Sequence, residues 1–457
     1  MYSRPDNDTT GKLAAPPQLE RLWLLLGVTA LALAGLFSLV LVVGRTPSTS
    51  SIQLISDLFH KALVVHVDLS VLVWFLTISS MIWSMEARKC RTWVHFPLLE
   101  EAALAAMAAG SLLLALSPLA GGEALMSNYI PVIANPVFFL GLALILCSVG
   151  LMLLHVFLHR PPGESVVGFA AYTAALTALI GLFSYLWAWQ RMPAVIEGQQ
   201  YFDMLFWAGG HVFQFVNTQM TMIAWLALIA ALIPAFRLPR GLLLALFSIA
   251  PLTAIFTPLV FVSYGVASQE FRLFFTHRMM DANGIGPAIL GVAIIAALLK
   301  AGCPAPAQKA LHSTLIMSLL LFIYGGVIGL AIHGEDVTIP AHYHGSIVGV
   351  TLAFMGLAYL WLPRFGDREV AGSRLAFWQP IVYGSGQIMH ISGLAWSGGY
   401  GVLRKTPGAL EGGFTAAKAA MGLMGMGGLL AIIGGFMFVV VVARSVYSSS
   451  SRLPSAK

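Results

Sequence analysis

The chain has 457 residues, of which 58% are hydrophobic and only 10% charged, with a formal net charge of +6. Soluble domains carry about 25% charged residues, so an ordinary cytosolic enzyme, a disordered chain and a nucleic-acid binder are excluded. The positive charge does not point to DNA, because the basic residues sit in short connectors between apolar runs.

Three cysteines (Cys90, Cys147 and Cys303) are too few and too scattered for a disulfide framework. No C-x-x-C-H stretch is present, so no c-type haem is attached covalently. The first 20 residues are polar and contain prolines without the layout of a cleaved signal. The first apolar run therefore reads as a retained span.

A membrane span needs roughly 20 apolar residues at a helical rise of about 1.5 Å. Twelve candidates follow in chain order, at about 21–44, 56–84, 97–118, 129–158, 165–190, 204–235, 240–265, 284–300, 310–332, 341–363, 376–399 and 415–445. Only helices satisfy their own backbone hydrogen bonds at this hydrophobicity. The expectation is an all-α, polytopic membrane protein with a twelve-helix bundle over 21–445. Short polar tails flank it at 1–20 and 446–457.

An even span number puts both termini on one side. That side receives seventeen of the 25 lysines and arginines, and the other side eight. The positive-inside bias then makes both termini cytoplasmic, in a cell's inner membrane. His95, His155, His159 and His312 fall at cytoplasmic ends and read as interfacial. His60, His66, His211, His277, His333, His342, His344 and His390 fall in outer halves of spans or in outer connectors. Polar side chains inside spans are costly and face the bundle interior or a cavity. So many at one depth suggest a layer of ligands parallel to the membrane.

In the second span, Val65-His66-Val67-Asp68-Leu69-Ser70 puts Ser70 one turn from His66 on the same face, while Asp68 faces away. His66 is either a packed, hydrogen-bonded residue or a ligand; Asp68 either pairs with a cation or carries protons. His60, nearer the surface, reads as interfacial. Glu100 and Glu101 open the third span, as surface acids or a proton entry. In the sixth span His211, Gln214, Thr218 and Thr221 form one polar stripe, marking a wet cavity or an interhelical network. Gly209 and Gly210 beside it permit close approach of another group.

The tenth span opens Pro340-Ala341-His342-Tyr343-His344-Gly345-Ser346. Each residue turns a helix by about 100°, so His342 and His344 point to nearly opposite faces. Such a pair cannot grip one metal as i, i+4 histidines do. It either holds two different centres or lines cavities on both sides. The eleventh span contains Ile388-Met389-His390-Ile391-Ser392-Gly393-Leu394-Ala395, and Arg404-Lys405 follows it.

Twelve spans, His66 on the second, His211 on the sixth, His342-x-His344 on the tenth with His333, Glu335 and Asp336 before it, and the basic pair after the eleventh form one pattern. The chain resembles catalytic subunit I of the haem–copper oxidase superfamily, which includes cytochrome c oxidases and bacterial nitric oxide reductases. The resemblance covers nearly the whole chain. It implies two haems. His66 and His344 would be the axial ligands of a low-spin haem, and His342 the proximal ligand of a high-spin haem. The opposite faces of His342 and His344 support that division. His211 would bind a copper or other non-haem metal facing the high-spin iron, and Arg404 and Lys405 would meet haem propionates.

One departure stands out. The family supplies two adjacent histidines from the seventh span, but here that stretch reads Phe256-Thr257-Pro258-Leu259-Val260-Phe261-Val262-Ser263-Tyr264-Gly265. His277, the next candidate, falls beyond that span in an outer connector and precedes Arg278. Tyr264 is either a redox or proton-donating tyrosine or a packed one. The sixth span also carries Gln214 and Asn217 rather than acids.

The implied function is a respiratory oxidoreductase. A cytochrome c-type subunit or soluble cytochrome would donate electrons, which pass from the low-spin to the high-spin haem, where O2 is reduced. The alternatives are an NO reductase-like enzyme, a non-catalytic dihaem electron-transfer or gas-sensing protein that has lost its copper site, and a transporter with a histidine-lined path. The lipid bilayer is the surrounding partner, and no nucleic acid is expected.

Overall fold

The structure, a computed structural model, describes residues 18–45, 53–90, 92, 96, 98–161, 163–332, 337–398 and 416–450. His95, His333, Glu335, Asp336, Arg404 and Lys405 lie outside the described residues, as do 1–17 and 451–457 of the expected tails.

The helices run α1 (Gln18–Arg45), α2 (Gln53–Val67), α3 (Trp74–Ala87), α4 (Leu98–Leu116), α5 (Pro136–Phe157), α6 (Val166–Gln190), α7 (Gly198–Leu232), α8 (Arg240–Ala254), α9 (Thr257–Ser263), α10 (Gln269–Arg278), α11 (Ile285–Ala301), α12 (Lys309–Gly329), α13 (Thr338–Trp361), α14 (Arg374–Gly398) and α15 (Ala416–Ser450). Wide π-helical turns join α2 to α3 over Asp68–Val73 and α10 to α11 over Met279–Asn283. Eleven helical segments among the described residues are long and apolar enough to cross a membrane. The twelfth expected span is α14, which is less apolar because Gln379, Gln387, His390 and Ser392 turn inward and Pro380 interrupts it. The protein is a multi-pass, all-α membrane protein with the expected twelve-helix layout.

Three departures from the sequence reading bear on the site. The fourth span starts at Pro136 rather than 129, because residues 121–135 fold back as a hairpin of β1 (Ala124–Leu125) and β2 (Val132–Ile133). Gly121 and Gly122 take φ of 77° and 83°, the left-handed region that glycine tolerates. Asn135 then caps α5 by accepting from the Phe138 N–H at 2.9 Å, and its amide donates to the Ser117 and Gly121 carbonyls. The seventh span breaks at Ile255–Phe256 between Pro251 and Pro258. The eighth begins at Gln269 rather than 284. His277 is therefore helical, in α10, rather than in a connector, and it is exposed.

The start of α1 and the end of α15 lie at one end of the bundle. Arg21 donates twice to Asp367, at 2.8 and 2.9 Å, and Arg88 donates to Glu20 at 2.9 Å. The Arg368 N–H donates to the Ser445 carbonyl. These contacts join the start of α1, the end of α3, the chain after α13 and the end of α15, as an even span number requires.

Small residues and polar side chains lock the interior, the usual device where lipid offers no hydrophobic drive between helices. α12 and α13 cross where Gly345 lies against Gly325; a methyl group on Gly345 would come within 2.5 Å of the Gly325 Cα. Trp225 of α7 donates to Ser318 of α12 at 2.8 Å, and Ser318 donates to the Gly349 carbonyl of α13 at 2.6 Å. Gln379 of α14 accepts from Tyr359 of α13 at 2.9 Å and donates to the Gly434 carbonyl of α15 at 3.2 Å. These bonds hold the helices that bear the histidines in fixed register.

Candidate functional site

A cavity of about 2440 Å³ occupies the bundle between α1, α2, α7 and α11–α15. Cavities that hold one small ligand are about 300–1000 Å³, so this one has room for more than one large group. Its wall is mostly apolar. Gly35, Gly326, Gly422 and Gly425 line it, and nothing lies within 4 Å of where a Cβ would stand on any of them. Missing side chains thus leave open space along these parts of the wall.

His66, His342, His344, His390 and His211 all line this cavity. The first four show one pattern. Nδ1 of His66 lies 2.9 Å from the Ala34 carbonyl, and that of His342 2.7 Å from the Gly325 carbonyl. Nδ1 of His344 lies 2.8 Å from the Pro340 carbonyl, and that of His390 2.9 Å from the Met424 carbonyl. A carbonyl only accepts, so each Nδ1 carries the proton and donates. That fixes the neutral tautomer with a lone pair on Nε2, the arrangement that carbonyls hydrogen-bonded to the far ring nitrogen give metal-bound histidines. The His342 ring lies over Gly329, where a Cβ would collide with it.

His344 and His342 stand on one helix, α13, and His66 comes from α2, just before the π-helical turn. Ser70 donates to the His66 carbonyl at 2.6 Å, on the face the sequence assigned it. Asp68 is buried, lines the cavity and has no hydrogen-bond partner for either carboxylate oxygen. His390 packs beside His344, with ring centroids 5.4 Å apart. His390 was legible as an in-span histidine, but only the packing of α14 against α13 and α15 brings it to this site.

The part of the wall around His211 differs. His211 is 3% exposed; its Nδ1 lies 2.7 Å from the Trp207 carbonyl and 2.9 Å from the Tyr129 hydroxyl. Rings surround it: Tyr129 at 5.0 Å, Trp207 at 4.7 Å and Phe275 at 6.0 Å between centroids. The two glycines before it are filled as their small size allows. Tyr185 sits against Gly209, and Tyr129 sits against Gly210. Gln214, Asn217 and Thr218 continue the stripe along the cavity, whereas Thr221 turns back and donates to the Asn217 carbonyl at 2.7 Å. Tyr129 reaches the cavity from the 121–135 hairpin and carried no sequence signal, since its partner lies 82 positions away. Burial, with Tyr185 adding to it, pushes the Tyr129 phenol well above its usual range, so it stays protonated.

The remaining sequence candidates fall elsewhere. Tyr264 does not reach the cavity. α9 ends at Ser263, the chain turns extended, and Tyr264 is left 43% exposed. His277 does not line the cavity either, although its neighbour Thr276 does. Glu100 is buried at the other end of the bundle, accepts from Trp23 at 3.2 Å and lies 3.7 Å from His155, while Glu101 is exposed.

The residues present fit one implied group and not the other. Three imidazoles with fixed Nε2 acceptors on the walls of a large, mostly apolar cavity suit haem iron. Copper prefers imidazole-rich sites, and His211 stands as one imidazole among aromatic rings. No group of three or more His, Cys, Asp or Glu residues able to hold a metal is found among the described residues. The non-haem metal site therefore does not fit.

No family model matches the chain. The uncharacterised protein RP382 of Rickettsia prowazekii is 31% identical over 500 aligned residues, covering 94% of this chain and 96% of that protein. An uncharacterised protein of Aquifex aeolicus is 29% identical over 355, covering 77% of this chain and 86% of that one. Among solved structures, that of a haem–copper terminal oxidase dimer superposes with a TM-score of 0.73 at 16% identity, covering 96% of this chain and 85% of its own. The chain thus belongs to the family of the Rickettsia protein RP382, and its fold is that of haem–copper oxidase subunit I.

Proposed function

We propose that this protein is a haem-binding membrane oxidoreductase that reduces a diatomic gas. His66 and His344 would hold a low-spin haem, and His342 would hold a high-spin haem on the other face of α13. The observation that carries this reading is the set of cavity histidines whose Nδ1–H groups are pinned to backbone carbonyls. Bound haem supplies reversible one-electron chemistry and an open iron position for O2 or NO.

The chain's own part is orientation and exclusion of water. The Gly325 carbonyl aims the His342 ring, and the α12–α13 contact leaves that ring little freedom to turn. The Ala34 carbonyl does the same for His66. Electrons would arrive from a cytochrome c-type subunit or soluble cytochrome. Arg404 and Lys405 remain the proposed partners of haem propionates. Both termini would face the cytoplasm of an inner-membrane protein.

A second reading is favoured by the wall around His211, where the set of metal ligands does not close. In it the chain is a dihaem electron-transfer or gas-sensing protein without turnover. Purified full-length protein, assayed for haem by pyridine haemochrome and for O2 and NO consumption, separates these readings. Two haems per chain with turnover of O2 or NO support the oxidoreductase. Two haems without turnover support the relay or sensor. A colourless protein refutes both.

A further inference from the structure

The part of the cavity lined by His211 and Tyr129 is not simply a metal site with pieces missing; a different device is built there. His211 has one proton on Nδ1, because the Trp207 carbonyl at 2.7 Å can only accept. The Tyr129 oxygen, at 2.9 Å from the same nitrogen, therefore shares that N–H as a second acceptor. The hydroxyl proton of Tyr129 is not spent on His211 and remains available to the cavity both residues line.

Tyr129 is held firmly in that position. Its ring lies against Gly210, where any Cβ would collide with it, and meets Trp207 edge-on at 6.0 Å and 85°. The hairpin that carries it is tied down by the Asn128 N–H, which donates to Asp203 at 2.8 Å. A phenol that accepts one hydrogen bond becomes a better donor of the next, since chains of hydrogen bonds polarise one another. A fixed donor in a mostly apolar cavity is also worth more than one in water.

We infer that Tyr129 and His211 form a metal-free donor pair, in which the Tyr129 hydroxyl hydrogen-bonds to the diatomic ligand on the iron carried by His342. His211 is the positioning residue, holding and polarising the phenol through its Nδ1–H. The inference rests on the haem reading above, and it assigns the place opposite the iron to a hydroxyl rather than to a second metal.

The test is the infrared C–O stretch of the CO adduct of the reduced, purified, full-length protein, with metal analysis of the same sample. Donation of a hydrogen bond to bound CO strengthens back-bonding and lowers the stretch. The native band is expected to be low and to shift in D2O. In Tyr129→Phe it is expected to rise and to lose its D2O sensitivity, with haem content retained. His211→Gln is expected to raise it partway. Metal analysis is expected to give iron equal to haem and no further metal at unit stoichiometry.

A band indifferent to Tyr129→Phe overturns the proposal while leaving the haem reading intact. So does a stoichiometric non-haem metal that His211→Gln removes with haem retained. Absence of haem overturns both. If Tyr129→Phe does not assemble, the D2O response of the native band decides alone, and its absence refutes the pair.

Discussion

The two walls of the cavity are built from different chemistry. The wall made by α2, α13 and α14 presents His66, His342, His344 and His390, each with Nδ1 donating to a carbonyl. The wall made by α7, α10 and the 121–135 hairpin presents a single imidazole, His211, embedded in Tyr129, Trp207 and Phe275. The first wall gathers four imidazoles in one cavity, which suits haem iron, whereas His211 has the same tautomer but stands alone. The second has a hydroxyl and aromatic faces, which suit a small neutral molecule held by one hydrogen bond. A shared fold therefore does not imply a shared set of metals.

The largest expected effect breaks this contrast at the first wall. His342→Ala should abolish CO binding while sparing the low-spin optical signal, and His66→Ala or His344→Ala should abolish the low-spin signal itself. Retention of CO binding in His342→Ala would show that the faces of α13 are assigned the wrong way round.

Packing behind that wall gives the next effect. Gly345→Ala places a methyl group within 2.5 Å of the Gly325 Cα. Overpacking of this kind costs about 1–3 kcal/mol, and forcing α12 from α13 displaces the carbonyl that aims His342. A lower melting temperature together with reduced CO-binding haem is expected; an unchanged melting curve would contradict the close helix contact.

A control comes from the other end of the bundle. Arg21→Ala leaves the buried Asp367 carboxylate without its bidentate partner, at a cost of about 1–3 kcal/mol for an unsatisfied buried acceptor. Thermal stability should fall while the optical spectrum of the remaining folded protein stays native. A spectral change would mean that the two ends are coupled more tightly than these contacts indicate.

The smallest effects lie at the surface. Tyr264→Phe should leave haem content, CO band and stability unchanged, because Tyr264 is exposed and does not line the cavity. The Cys90 thiol is pushed up by burial and by Glu86, with Lys89 pulling it down less. Its thiolate therefore forms at higher pH than that of a free cysteine. Maleimide should label the exposed Cys303 first, with Cys90 catching up only as pH rises; equal rates at neutral pH would refute the shift.

The amino-acid sequence by itself determined the helical bundle, since 58% hydrophobic content in runs of span length leaves no other way to satisfy the backbone. It also determined that His342 and His344 serve opposite faces, because helix geometry is local. The stripe of His211, Gln214 and Thr218 was legible for the same reason. Only the tertiary structure decided that His390 joins His344, that Tyr264 and His277 stay away from the cavity, and that Tyr129 meets His211. Those facts depend on one proline-flanked break, a hairpin turned by glycines and helix crossings set by missing side chains. Periodicity along one helix carries no record of which distant segment will lie against it.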